Sequence, residues 1–153
     1  MYTLVLLLHS WVRWFAVITG VIATVMLITT KPAKGEADPV DRWGLFFMIA
    51  LDLQLLLGMA LYLGVSPTSA AILNDFGAAM KDPAARFFAV EHITMMLFAI
   101  VMAHLGRILA RKATTPAAKR TRLLICLGLA TVAMLAGTPW PGMAGGRPLF
   151  RLS

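Results

Sequence analysis

The stretch WGLFFMIALDLQLLLGMALYLGV, Trp43–Val65, carries one carboxylate, Asp52, and one amide, Gln54, among 23 residues. A helix on the surface of a soluble domain shows an apolar stripe and a polar outer face. Here the apolar side chains run nearly all the way round. The length passes the ~20 residues that a helix needs to cross the ~30 Å hydrocarbon layer. Three further runs read the same way: Tyr2–Thr30, Phe87–Ala110 and Leu123–Pro141. Across the 153 residues, 59% are hydrophobic and 14% charged, against about a quarter charged in ordinary soluble domains. The pattern predicts a single all-α domain, residues 1–153: an integral-membrane four-helix bundle in contact with the lipid bilayer. Its helices run over about 2–30, 39–65, 83–112 and 116–138, with a tail over 139–153.

The net charge of +7 would suit nucleic acid, but its placement argues against that partner. Arg107, Arg111, Lys112, Lys119, Arg120 and Arg122 bracket one short connection, and Lys31, Lys34 and Arg42 bracket another. The middle connection holds Lys81 and Arg86 against Asp75 and Asp82. By the positive-inside rule the first and third connections are cytoplasmic. Both termini then face the outer, periplasmic side of a multi-pass membrane protein, with Arg147 and Arg151 in the tail running against the trend.

Asp38-Pro39, Asp82-Pro83 and Thr115-Pro116 each put a capping side chain before a proline at the first helical position, where its missing N–H costs nothing. The stretch between the second and third long helices is moderately apolar and predicts a short helix at the outer interface. Pro139 ends the fourth helix, and Trp140 and Phe150 are expected to anchor the tail at the headgroups. The first run lacks a basic leader and contains Arg13, so it reads as a helix rather than a signal peptide. The lone Cys126 excludes an intramolecular disulfide.

Ionisable groups inside a membrane are costly and usually face a partner or a cofactor. His9 lies ~12 Å along the first helix and His92 ~9 Å past Arg86 on the third, at 1.5 Å per residue. Two imidazoles at matching depth on parallel helices are suited to gripping one b-type haem from opposite faces. Met96 and small residues continue the His92 face, and Gly58 beside Gln54 leaves room for a ring edge. Gln54 or Glu91 is expected to accept the second ring proton of a ligating imidazole. Arg86, Arg147 and Arg151 are candidates for pairing with propionates. Arg13 and Asp52, at similar depth, are expected to form a buried ion pair.

The alternatives are a polar network that only locks helices together, and metal or proton chemistry, including copper at Met95 and Met96 beside His92. His104, ~18 Å beyond His92, has no fourth histidine to pair with. It is expected near the cytoplasmic interface, bonded to a backbone carbonyl or snorkelling.

With HSWVRW (His9–Trp14), DLQLLLGMALYL (Asp52–Leu63), RFFAVEHITMMLFAI (Arg86–Ile100) and PWPGMAGGRPLFR (Pro139–Arg151) in view, the chain resembles small bacterial four-helix membrane proteins labelled cytochrome b-like. The resemblance implies a site in the bacterial inner membrane, one haem b with His9 and His92 as axial ligands, and a role in respiratory electron transfer. Quinone is a further candidate ligand, and other subunits of a membrane redox complex are the implied partners. The chain departs from dihaem b-type cytochromes in having three histidines where two such sites need four. The competing expectation is a cofactor-free structural or assembly subunit.

Overall fold

A computed structural model describes residues 1–31 and 38–150. Every regular element among them is helical. Helix α1 covers Tyr2–Thr29. Helix α2 covers Pro39–Ala60 and runs on through a π turn, Leu61–Val65. Two short helices follow, α3 (Pro67–Asn74) and α4 (Phe76–Lys81). Helix α5 (Pro83–Arg86) passes through a second π turn, Phe87–Glu91, into α6 (His92–Arg111). Helix α7 is Pro116–Gly137. Four stretches are long and apolar enough to cross a membrane: Tyr2–Thr29, Pro39–Val65, Pro83–Arg111 and Pro116–Gly137.

The helix starts follow from local hydrogen bonding. Asp38, Asp82 and Thr115 accept from the backbone N–H of Val40, Ala85 and Ala118, each before a proline at the first helical position. Ser66 and Asp75 cap α3 and α4 in the same way, so the middle connection holds two short helices where the sequence predicted one. The last carbonyls of α1 are served by Arg120, which donates to Met26, Leu27 and Thr30. A basic side chain there satisfies acceptors that a helix end leaves free.

Small residues let the long helices close up. Ala16, Ala23, Ala50, Ala99, Ala103 and Ala130 are fully buried at the centre. A Cβ built on Gly20 would stand 2.8 Å from the Phe47 ring, and one on Gly106 would stand 2.7 Å from Cys126 Cβ. In lipid, close packing and interhelical hydrogen bonds hold helices together without a hydrophobic drive; Thr24 and Thr131 supply one such bond at 3.0 Å.

One end of the bundle carries Met1 and the tail. The other carries the basic residues, where Lys119 pairs with Asp41 and Arg107 donates to the Asp41 carbonyl. Lys34, expected to mark the first connection, lies outside the described residues.

The tail folds back across the terminal end. Arg13 and Trp14 both donate to the Leu149 carbonyl, at 2.9 and 2.8 Å. The Trp14 ring stacks on Phe150 at 5.3 Å and meets Trp140 edge-on at 6.1 Å. A Cβ on Gly145 would collide with Phe87 at 2.5 Å, so glycine alone lets the strap lie flat on that ring. Trp140 and Phe150 therefore fasten the tail to α1 as well as being placed at this end of the bundle.

Candidate functional site

The odd-numbered spans run in the same direction, so α1 and α6 present residues near their starts to one level of the bundle. His9 sits in the third turn of α1. His92 opens α6 directly after the π turn, its backbone N–H bonded to the Phe87 carbonyl five residues back. Such a turn inserts one residue into the helical register and is often found where function places a side chain. The rings of His9 and His92 stand 6.3 Å apart, centre to centre, inclined at 65°.

Each ring has a defined surrounding. His92 Nδ1 is 2.7 Å from the Gly137 carbonyl. A carbonyl only accepts, so Nδ1 carries the proton and the Nε2 lone pair is free. Phe87 and Phe88 pack against the same ring at 6.0 and 6.1 Å. His9 Nδ1 is buried without a partner among the described residues, as are Arg13 Nε and Gln54 Oε1. Gly58 lies against the His9 edge; a Cβ there would stand 3.5 Å from Cε1.

These groups line one cavity of about 400 Å³, within the usual ligand-pocket range of ~300–1,000 Å³. His9, Arg13 and Gln54 line it together with Gly58, His92, Met96 and Arg147. Its walls are otherwise mostly apolar, with Leu51, Phe88, Ile93 and Ile100 contributing. Pro139 and Pro148 of the strap close one side.

Other expected placements differ. Arg13 and Asp52 do not pair: Arg13 reaches the strap, and Asp52 bonds His104 Nε2 at 2.9 Å. Depth alone matched the first two residues, but they point to different sides of α1 and α2. His104, expected on a carbonyl or snorkelling, instead holds that carboxylate. Arg86 pairs with Glu91 at 3.0 Å, both about half exposed, which takes the arginine out of the cavity and Glu91 away from either imidazole. Arg147 does line the cavity, with its guanidinium over the Phe88 ring at 5.0 Å. The orientation of His92 comes from Gly137, not from Gln54 or Glu91. Met95 packs on Gly137, leaving Met96 as the methionine of that pair at the cavity. Arg151 lies outside the described residues.

Both imidazoles line the same cavity, and each can give one neutral ring nitrogen to a metal; their 6.3 Å edge-on separation is also that of a packed ring pair. Both histidines lack a carboxylate beside them, and no cluster of three or more His, Cys, Asp or Glu occurs among the described residues. A bare ion would thus find two ligands, whereas a haem brings four of its own. Three buried polar atoms without partners are also what a cavity shaped for a polar-edged ligand leaves behind.

The strap's Leu149 carbonyl and the Gly137 carbonyl, both central to this arrangement, were not singled out from the sequence. For Gly137 a signal existed, since it is the last residue of a helix broken by Pro139, where carbonyls lack helical partners. Set beside known proteins, the chain matches no family model, no curated protein and no solved structure.

Proposed function

We propose that the chain is a membrane-embedded b-type cytochrome module, with one haem b held by His9 and His92. It would carry electrons between a quinol or a redox partner and an acceptor at the end bearing the tail. The observation that carries this reading is the pair of imidazoles 6.3 Å apart at a mostly apolar cavity, one with its outward nitrogen fixed and the other buried without a partner. Haem bound there would supply a one-electron couple.

The chain's own residues have separable tasks. Gly137 holds the His92 proton on Nδ1 and so keeps Nε2 as the ligating atom. Gly58 keeps the His9 edge clear. Arg13 and Arg147 bring positive charge to the cavity, complementary to carboxylates at a ligand's rim. The strap and the Phe87–Phe88 pair exclude water. The described residues lie mostly in the spans, which favours an electron-transfer subunit within a larger inner-membrane complex over a stand-alone enzyme.

The cofactor-free structural reading expects the polar residues to bond to one another. Among the described residues, His9, Arg13 and Gln54 instead leave atoms unpaired around a cavity. The test is an oxidised-minus-reduced absorption spectrum of the purified protein, expressed with haem supplied. Soret and α bands that His9→Ala or His92→Ala abolishes, while the protein still inserts, support the proposal. A wild-type protein without those bands removes it.

A further inference from the structure

Helices α2 and α6 carry a second pair of ionisable side chains that the cavity does not use. His104 Nε2 stands 2.9 Å from Asp52 Oδ1, yet the two side chains remain 44% and 41% exposed. Asp52 lies ~16 Å along α2 from Asp41, about half-way across a ~30 Å hydrocarbon layer. The pair is thus partly exposed, with Asp52 about midway along the Pro39–Val65 span. Neither side chain has another hydrogen bond among the described residues, leaving Asp52 Oδ2 and His104 Nδ1 unserved. Around them Ile49 and Leu56 on α2, and Val101 and Ile108 on α6, are exposed. An ionisable group in a membrane is found turned toward a partner, not toward lipid.

We infer that this face is the interface of a two-fold symmetric dimer, in which His104 of each copy meets Asp52 of the other. The face lacks one partner for an imidazole nitrogen and one for a carboxylate oxygen, and it offers that same pair. A second chain inserted the same way carries its dyad at the same depth. A two-fold axis along the membrane normal sets α2 of one copy opposite α6 of the other, and hence Asp52 opposite His104. Each ring then has a carboxylate oxygen beside both of its nitrogens, one in its own chain and one across the axis. The apolar side chains around it pack at the rim, in the way that polar contacts and close packing join helices in lipid. This inference does not depend on what the cavity binds.

The test uses the full chain in lipid vesicles, with dimerisation followed by energy transfer as protein is diluted in lipid. The wild type should dimerise, and Asp52→Leu with His104→Leu should weaken association about tenfold or more. In a Cys126→Ala background, Val101→Cys should crosslink to itself through a short bismaleimide, whereas Val132→Cys, on the lipid face of α7, should not. A wild type that stays monomeric at every dilution overturns the inference, as does a dimer that the double leucine variant leaves intact. Should the leucine variant fail to insert, the crosslink decides: Val101→Cys without a dimer band, or no stronger than Val132→Cys, sinks the interface.

Discussion

At the scale of single residues, glycines set the candidate site as firmly as the histidines do. A Cβ at Gly137 would stand 2.6 Å from Met95 Cβ and 2.7 Å from Met96 Cε. Met95 Cβ cannot swing aside, so Gly137→Ala forces α6 and α7 apart, an overpacking cost of about 1–3 kcal/mol. The Gly137 carbonyl moves with the backbone and loosens its hold on His92. The expected outcome is a lower melting temperature together with a shifted or broadened haem spectrum; an unchanged spectrum would show that the carbonyl does not orient the ring. Gly58 gives a graded contrast. A Cβ there meets His9 at an ordinary 3.5 Å, so Gly58→Ala should keep haem, whereas Gly58→Leu projects into the cavity and should lose most of it with the fold retained. His9 and His92 were legible in the sequence because lipid penalises them and helical rise gave their depth. The Arg13–Asp52 pairing failed because rise fixes only one coordinate. Side chains on a helix lean toward its N-terminus, so on antiparallel α2 and α6 the Asp52 carboxylate and the His104 ring lean toward each other. Backbone acceptors carry no residue identity, which hid the Leu149 carbonyl; for Gly137 only the broken helix end gave a signal.

Among the elements, the capped starts were readable because Asp-Pro and Thr-Pro state their own geometry. The two π turns were not. One extra residue leaves an apolar run looking unchanged, yet it decides where Phe87 and His92 point. Nor did the tail's sequence disclose that Leu149 would serve as acceptor for two side chains of α1. The strap gives a direct prediction. Ending the chain after Arg147 removes that carbonyl and strands the Arg13 and Trp14 donors, one of them charged. A hydrogen bond to a charged group contributes about 1.5–3 kcal/mol and a neutral one about 1 kcal/mol. Thermal unfolding in detergent should therefore show a destabilisation of about 2.5–4 kcal/mol, with faster loss of any bound ligand because Pro148 no longer closes the cavity. Trp14→Phe keeps a ring for Phe150 and removes only the N–H, so it should cost about 1 kcal/mol. No loss in Trp14→Phe beside a full loss on truncation would mean that stacking, not the shared carbonyl, holds the strap.

For the molecule as a whole, four apolar runs made the helical architecture legible, while sidedness rests on charge. Basic residues at the end opposite the tail have two effects. Arg120 closes the carbonyls of α1, Arg122 donates to Leu109 and Lys119 binds Asp41, so part of the charge is spent on holding helix ends. Lys31, Arg111 and Lys112 are exposed there, and positive charge flanking short connections resists translocation. The terminal end holds Lys81, Arg86 and Arg147, with Arg86 neutralised by Glu91 and Arg147 set over Phe88. On this balance the positive-inside rule predicts the connection between α6 and α7 in the cytoplasm and the strap outside. In a Cys126→Ala background, Met143→Cys in the strap should react with a membrane-impermeant maleimide in intact cells, and Thr114→Cys only after the membrane is opened. Reversal of the two would put the histidine cavity toward the cytoplasm, so that electrons would be exchanged with a cytoplasmic acceptor. Labelling of both sites from outside would mean that the basic end does not fix the orientation.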